Sequence, residues 1–456
     1  MMPLSEAALA TKGQLLGPDV EFGAISTDSR RVEAGDLFVA LRGERFDGHD
    51  YVADCLQRGA VAAVVEAQSA VSSRPSDKSL LVVADGRIAL GALARHWRGK
   101  FSLPLIAVTG SNGKTTVKEM LASILRAAAG RDDAVLATTG NLNNEIGVPL
   151  TLFRLDAGHR YAVIEMGMNH AGEIARLTAI ARPTVALVNN ALPAHLEGLG
   201  SVAGVAHAKG EIFQGLAADG TAVINADDAF APLWRQLAAP HRVLSFGLQS
   251  AADVSADYRL KADGSEIVLK TPQGATVLNL PVAGLHNVSN ALAATAAALA
   301  VEVPLDAVVA GLQRFAAARG RLQRKTGVQG CALIDDTYNA NPASMRAAID
   351  VLAACPGRRY LVLGDMGELG EDAGKLHHEI GEYARAAKLE GVLTLGEMGR
   401  AYGGQHFDSP EALAATLLPE LGANSTVLVK GSRFMRMERV VALLTETEQK
   451  ESRHAA

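Results

Sequence analysis

The amino-acid sequence predicts an α/β protein of three domains, and three observations carry that expectation. A chain of 456 residues is longer than one ordinary hydrophobic core accommodates. Short β-rich runs alternate with amphipathic helical patterns along most of it, the rhythm of βαβ units with buried parallel strands. Between one such strand and its helix lies a glycine-rich turn with a phosphate-binding pattern.

The strand candidates, in order, are Leu105–Thr109, Tyr161–Glu165, Val185–Asn189, Thr221–Asn225, Tyr360–Gly364 and Thr426–Lys430. Each is an apolar run ending near Gly, Asn, Asp or Glu. After the first, Val117, Leu121, Ile124, Leu125 and Ala128 form one helical stripe that Gly130 closes. Two joints interrupt the pattern. One lies near Asp85, just past Arg74-Pro75-Ser76-Asp77, where a helix leads to Pro104. The other is Arg319-Gly320-Arg321, after an alanine-rich helical region at 291–318. The expected domains are therefore 1–84, 85–317 and 318–456. The central one is a P-loop domain on a parallel or mixed sheet, and the last is Rossmann-like.

Composition narrows the class. Apolar residues make up 48% and charged residues 20%, the balance of a globular protein. A formal net charge of -5 gives no reason to expect nucleic acid or an anionic membrane as partner. Cys55, Cys331 and Cys355 are widely spaced, which argues against a disulfide framework and a structural zinc site. Met1 to Gly13 shows no signal-peptide pattern. The longest apolar run, Ala291 to Val301 with Thr295 inside it, is too short to span a bilayer. A cytoplasmic protein without membrane insertion is expected.

The sharpest local signal is Thr109-Gly110-Ser111-Asn112-Gly113-Lys114-Thr115-Thr116. Glycines let backbone N–H groups close around phosphate oxygens, and the following helix adds its positive dipole end. Lys114 is placed to reach the β- and γ-phosphates of ATP, and the Thr115 hydroxyl to ligate Mg²⁺. Val108 stands where the longer form of the motif has glycine, so the match is to the shorter GxxGKT form. Such a loop does not name a function, because GTPases, transport ATPases, kinases and ligases all carry one. A guanine-selecting Asn-Lys-x-Asp is absent, which weakens the GTPase reading.

Further motifs follow in order. They are Asn141-Leu142-Asn143-Asn144-Glu145-Ile146-Gly147-Val148-Pro149, Glu165-Met166-Gly167, Asn189-Asn190, His195 to Gly198, and Lys209. Then come His286-Asn287 with Asn290, Arg321, Asp335 to Pro342, and Lys430-Gly431-Ser432-Arg433. With the phosphate loop, this ordered set resembles the Mur ligase family over nearly the whole chain.

The resemblance implies ATP as co-substrate and two Mg²⁺ ions, held by Thr115, Glu165, His195 and Lys209, the last as a carbamate derived from CO₂. Taken alone, a strand-end glutamate is usually solvated or capping, a loop histidine idle, and a helix lysine on the surface. A carbamate turns a repelling ammonium into an anionic oxygen ligand, and the neighbouring cations lower the lysine pKa. Asn290 corresponds to the family's adenine contact and Arg321 to the arginine that reaches ATP phosphate. Asp336 corresponds to a contact near the ribose, and Lys430 to a lysine facing the cleft. Pro342 with Ser344 also reads as a helix start, and the alanine-rich helix as tight packing.

The opening segment resembles a UDP-binding first domain, with Ser29, Arg30, Arg42 and His49 as contacts; a structural salt bridge is an equal reading for either arginine. Thr138, Thr139, Asn141, Asn143 and Asn144 would line the muramoyl-peptide path. Gly364-Asp365-Met366-Gly367-Glu368-Leu369-Gly370 has glycines spaced as GxxGxxG, not GxGxxG, which rejects nicotinamide binding. It resembles the third-domain signature of the branch that appends D-alanyl-D-alanine to UDP-N-acetylmuramoyl-tripeptide through an acyl phosphate. The Asp-x-Pro-Arg motif of the diamino-acid-adding branch is absent, and folyl-polyglutamate synthases lack such a first domain. A monomer is expected. A conformational switch and a non-catalytic nucleotide-binding scaffold are the rival classes.

Overall fold

The structure, a computed structural model, describes residues 1–69, 78–194 and 196–445. The stretch 74–77, His195 and the charged tail therefore lie outside the described residues.

The first sheet has five strands in the order Gln14–Leu16, Ser79–Val83, Ala62–Glu66, Asp36–Val39, Ala24–Ser26, parallel except for the first. Asp36–Val39 is buried along its whole length because apolar clusters cover both faces. Helix Gly86–Arg98 starts where the Asp85 carboxylate accepts from the Ile88 N–H. It is a two-faced joint. Leu90 and Leu93 pack on the first sheet, and Ala94 packs into the next core.

The central sheet has six parallel strands in the order Arg242–Phe246, Thr221–Asn225, Val185–Val188, Leu105–Thr109, Tyr161–Glu165, Val135–Ala137. Three of the expected strands have the expected ends, and Val185–Val188 stops one residue early. The register places Glu165 beside Val108 and Val188 beside Thr109, so three strands end level with one another. Chain order reverses around Leu105–Thr109, and such a switch point opens a crevice at the carboxyl ends of the strands.

Helix Lys114–Ala129 buries Val117, Leu121, Ile124 and Leu125 on this sheet and ends at Gly130 in the left-handed conformation, φ +73°. Gly311 of helix Leu305–Gln313 lies so close to it that an added Cβ would overlap the Ile124 backbone. The alanines of helix Leu285–Leu299 are packing residues, as their richness suggests. A three-stranded antiparallel sheet, Ser255–Leu260, Ser265–Thr271 and Gly274–Leu280, extends the same core.

The last sheet runs Gln323–Thr326, Ala332–Asp336, Ser425–Lys430, Arg358–Leu363, Gly391–Leu395, Gln405–Phe407, parallel except for the first. Helices Pro342–Ala353 and Ala373–Ala386 cover one face, Pro410–Leu417 and Glu438–Leu444 the other. Asp336, Lys430 and Leu363 are register neighbours at its carboxyl edge. The architecture is thus a three-domain α/β fold. No described helix is long and apolar enough to cross a membrane, and the three cysteines are buried without forming a disulfide.

Candidate active site

A cleft of about 830 Å³ opens where the carboxyl edge of the central sheet faces that of the last. Lys114, Thr115 and Glu165 line one wall, and Arg321, Asp336 and Lys430 the other.

The phosphate loop is built as its sequence requires. Gly113 precedes the helix with φ +79°, and a Cβ there would overlap the Asn290 and Asn189 side-chain amides. A lattice of amides holds the loop from below. Asn189 Nδ2 donates to the Asn112 carbonyl (3.0 Å) and to Asn290 Oδ1 (3.0 Å), and Asn290 Nδ2 to Asn287 Oδ1 (3.2 Å). Asn190 Oδ1 accepts from the Asn112 N–H at 2.8 Å. Asn290, expected at adenine, accepts one bond and donates one within this lattice and also lines the cleft. Gly113→Ala is therefore expected to weaken ATP binding sharply. The left-handed backbone alone costs about 1–2 kcal/mol with a Cβ present, and the overlap adds to that. Titration calorimetry with ATP checks it, and an unchanged Kd would sink the reading.

Lys114 Nζ donates to the carbonyls of Gly110 (2.6 Å) and Ser111 (3.3 Å). Burial lowers its pKa; Glu165 opposes that shift and Arg321 adds to it. Thr115 Oγ1 donates to Glu165 Oε2 at 2.8 Å, while Asn143 Nδ2 donates to the other carboxylate oxygen at 2.9 Å. Thr138, expected on the substrate path, is instead buried behind Glu165, whose N–H it accepts at 2.9 Å. Lys118, which the helical stripe gave no reason to notice, is 1% exposed and donates to the Thr138 carbonyl at 2.7 Å. Thr139 Oγ1 accepts from Arg154, and Asn144 Oδ1 accepts the Ile146 and Gly147 N–H groups ahead of helix Gly147–Leu152. Asn141, Asn143 and Asn144 line the cleft; Thr138 and Thr139 do not.

Lys209 ends helix Val202–Gly210 at 1% exposure. Burial drives its pKa well below the ordinary lysine value, and repulsion from Lys114 adds to the shift. Among the described residues no group of three or more His, Cys, Asp or Glu converges as a metal site.

The third domain reaches across. Arg321 stacks on Tyr338, 4.0 Å from the ring centre, and its Nη2 donates to Thr115 Oγ1 at 2.8 Å. Lys430 Nζ meets Asp336 Oδ2 at 2.7 Å and the Asn339 carbonyl at 2.8 Å, so two residues expected in separate roles form one buried ion pair. Asn341 caps helix Pro342–Ala353 through a capping box with Ser344, as that Pro–Ser spacing suggests. Its Nδ2 also donates to Asn112 Oδ1 (2.6 Å), and Asn112 Nδ2 returns a bond to Asn341 Oδ1 (3.2 Å). One side chain thus ties a helix start to the phosphate loop. Asn341→Ala is expected to lose about 1 kcal/mol from the cap alone, read as a lower urea midpoint, and Asn341→Asp to keep the cap while losing one cross-domain bond. Equal stability of all three proteins would overturn this.

In the first domain, His49 is fixed at both ring nitrogens: Nδ1 lies 2.5 Å from Asp47 Oδ1, and Nε2 accepts the Glu66 N–H at 3.0 Å. Arg42 shares Asp47 at 3.0 Å and reaches the Ser69 hydroxyl at 3.1 Å. Arg30 chelates Asp28 on the surface, and the Ser29 carbonyl accepts from Arg58. None of these four lines the cleft. His286, Asn287, Asn190 and Glu368 do, without an individual role having been assigned from sequence. The signal available was the clustering of Asn and His at strand and helix ends.

Comparison with known proteins agrees with this layout. Family models match in chain order: the Mur ligase family, catalytic domain, over residues 21–98; the Mur ligase middle domain over 108–298; and the Mur ligase, glutamate ligase domain, over 320–433. The chain is 44% identical to UDP-N-acetylmuramoyl-tripeptide–D-alanyl-D-alanine ligase of Escherichia coli (strain K12), covering 97% of this chain and 98% of that one. It superposes on a crystal structure of MurF from Acinetobacter baumannii with a TM-score of 0.90 at 39% identity, over 97% and 98% of the two chains. MurF ligase from Thermotoga maritima in complex with ADP gives 0.82 at 30% identity, over 92% and 96%. With all three domains matched in order and relatives covered from end to end, the chain belongs to the Mur ligase family.

Proposed function

We propose that this ligase joins D-alanyl-D-alanine to UDP-N-acetylmuramoyl-tripeptide at the expense of ATP, in the cytoplasm, as a step of peptidoglycan synthesis. One observation carries the reading: two domains bring a phosphate loop, a strand-end carboxylate and a bridging arginine to one cleft. Similarity over the full length to the ligase that bears this activity's name selects the substrates. In this reading residues 1–84 take the UDP moiety through Ser29, Arg30, Arg42 and His49, 85–317 take ATP, and 318–456 take the dipeptide.

The tripeptide's terminal carboxylate oxygen attacks the γ-phosphorus, the β–γ bridging bond breaks, and ADP leaves with an acyl phosphate formed. The dipeptide amine then attacks the acyl carbon, inorganic phosphate leaves, and the amine gives up a proton. Lys114 exchanges two backbone carbonyls for phosphate oxygens and offsets the charge they develop. Arg321, already on the Thr115 hydroxyl, follows the γ-phosphate as the third domain closes and helps exclude water from the acyl phosphate. Asp336 and Lys430 form the floor on the third-domain side, and Asn290 holds the loop under the nucleotide.

The donors at Thr115 and Glu165 are hard oxygens in contact with each other, which fits Mg²⁺. Bound there, the ion would stabilise charge on the transferring phosphoryl group. A second ion would use His195, outside the described residues, and Lys209 as its carbamate. Lys209 is suited to that: burial and the nearby Lys114 favour the neutral amine, whose nitrogen can bond the carbon of CO₂ with loss of one proton.

The test is phosphate release with Mg²⁺, ATP and UDP-N-acetylmuramoyl-tripeptide, with and without D-alanyl-D-alanine. Release that needs both, with a product mass of the pentapeptide, is expected. Turnover instead with the UDP-linked dipeptide and a diamino acid would overturn the substrate assignment.

A further inference from the structure

The helix that begins with Lys114 carries a second ammonium one turn on. Lys118 lies on the same side of helix Lys114–Ala129 as Thr115 and Lys114, three and four positions earlier, yet it does not line the cleft. It is 1% exposed, and its Nζ donates to the Thr138 carbonyl at 2.7 Å and to Glu119 Oε1 at 2.6 Å. The Glu119 side chain is itself 34% exposed. A charge taken out of water and given a partly solvated partner contributes little to stability, and an apolar side chain would fill the same space without desolvation. The lysine is accounted for by what its carbonyl contact holds in place.

Thr138 is fixed at three atoms. Its N–H donates to the Val163 carbonyl at 3.0 Å, continuing the ladder between strands Val135–Ala137 and Tyr161–Glu165. Its carbonyl takes the Lys118 ammonium, a charge-assisted bond and the strongest of the three. Its Oγ1 accepts the Glu165 N–H at 2.9 Å. The chain then returns to Glu165 a second time. Asn143 Nδ2 donates to Glu165 Oε1 at 2.9 Å, and the Asn143 carbonyl accepts the Gly167 N–H at 2.8 Å. One loop, 138–143, thus grips Glu165 at its backbone and at its carboxylate, and Lys118 pins the root of that loop. The remaining carboxylate oxygen, Oε2, is the one that meets the Thr115 hydroxyl at 2.8 Å.

We propose that Lys118 is a positioning residue for phosphoryl transfer: through Thr138 and loop 138–143, its buried ammonium aims the Glu165 carboxylate at the Thr115 hydroxyl. It thereby sets the pair of oxygens that would take Mg²⁺. This rests on the ligase reading above and on its metal at Thr115 and Glu165. Mg²⁺ demands near-octahedral geometry at short oxygen distances, so a loosened carboxylate weakens the ion before it weakens the nucleotide. The phosphate loop itself is held by the Asn189, Asn190 and Asn290 amides, and the hydrogen bonds of Lys118 lie outside that lattice.

The experiment measures ADP binding to the full chain by calorimetry, once with Mg²⁺ and once with EDTA, and the Mg²⁺ concentration that half-saturates phosphate release. Wild type is compared with Lys118→Met, Thr138→Val and Thr138→Ser. Lys118→Met is expected to raise the half-saturating Mg²⁺ by about ten- to hundredfold, the scale on which partners behind a metal ligand act. Its Kd for ADP in EDTA should stay within about threefold of wild type, and most of the tightening by Mg²⁺ should be lost. Thr138→Val breaks the same chain one link later without touching the lysine and should behave alike, whereas Thr138→Ser keeps the acceptor and should behave as wild type. A merely structural role would weaken ADP with and without metal together and leave the Mg²⁺ requirement unchanged. If Lys118→Met or Thr138→Val keeps the wild-type Mg²⁺ requirement, the assignment is wrong and the ligase reading stands. The threonine pair decides the matter even if Lys118→Met does not fold, because the lysine is held to act only through that residue. If Mg²⁺ changes neither ADP binding nor turnover in wild type, the metal reading falls and takes this proposal with it.

Discussion

Lys114→Ala is expected to reduce kcat by about a hundred- to a thousandfold or more, the scale on which one preorganised charge stabiliser acts at a reacting centre. Its ammonium rests on the Gly110 and Ser111 carbonyls, at the mouth of the helix that begins with it. In the proposed reaction phosphoryl oxygens would replace those carbonyls at little reorganisation cost. Lys114→Arg is not expected to rescue, because a planar guanidinium cannot occupy the pocket of a compact ammonium. Stability should move the other way. Burial lowers the Lys114 pKa, so the folded chain binds fewer protons there than the unfolded one. Stability therefore rises with pH between that lowered value and the ordinary value of 10.5, and at neutral pH the charge opposes folding. Lys209 has the same sign and is shifted further. Lys209→Met should thus be at least as stable as wild type in urea at pH 7 and lack activity, a trade made at many functional sites. A phosphate-release rate within tenfold of wild type for Lys114→Ala would remove the lysine from the chemistry.

The contrast between what was readable and what was not is physical. The phosphate loop, the ends of strands Leu105–Thr109 and Tyr161–Glu165, and Gly130 were legible because each is contiguous: a local backbone conformation demands particular residues within a few positions. The strand Arg358–Leu363 begins two residues before the expected Tyr360, because a polar pair of arginines carries no apolar signal although the ladder includes them. Lys118 stands at the flank of the apolar stripe, three and seven residues before Leu121 and Leu125, but its charge hides it from an apolar pattern. It is buried because residue 138, across the sheet edge, offers a carbonyl to it. Asn112 and Asn341 meet over 229 positions of sequence, and no local pattern encodes such a meeting. Asn290 carries a contact that its residue type alone does not announce: besides suiting a purine edge, its amide accepts from Asn189 and donates to Asn287 beneath the loop.

The buried pair of Asp336 and Lys430 sets the second large effect. Both charges lie on adjacent parallel strands, in register, with side-chain exposures of 12% and 3%. Removing one partner leaves the other charge desolvated, which costs about 3–5 kcal/mol in comparable pairs. Lys430→Met strands a carboxylate beside the Leu322 N–H, and Asp336→Leu strands an ammonium on the Asn339 carbonyl. Each single variant is expected to lower the urea midpoint strongly and to lose activity. The double variant Asp336→Leu/Lys430→Met restores an uncharged interior, so most of the stability should return, because a buried pair is worth little more than well-packed apolar groups. Activity should not return, since the cleft wall facing the phosphate loop would have lost its polar groups. Recovery of stability without turnover would show that the pair is kept for the site. If the double variant is as unstable as the sum of the singles, the two residues are not coupled and the pairing in the fold does not govern their cost. If turnover returns with stability, the pair is scaffold alone, and closure of the third domain rests on Arg321 and the Asn112–Asn341 amides.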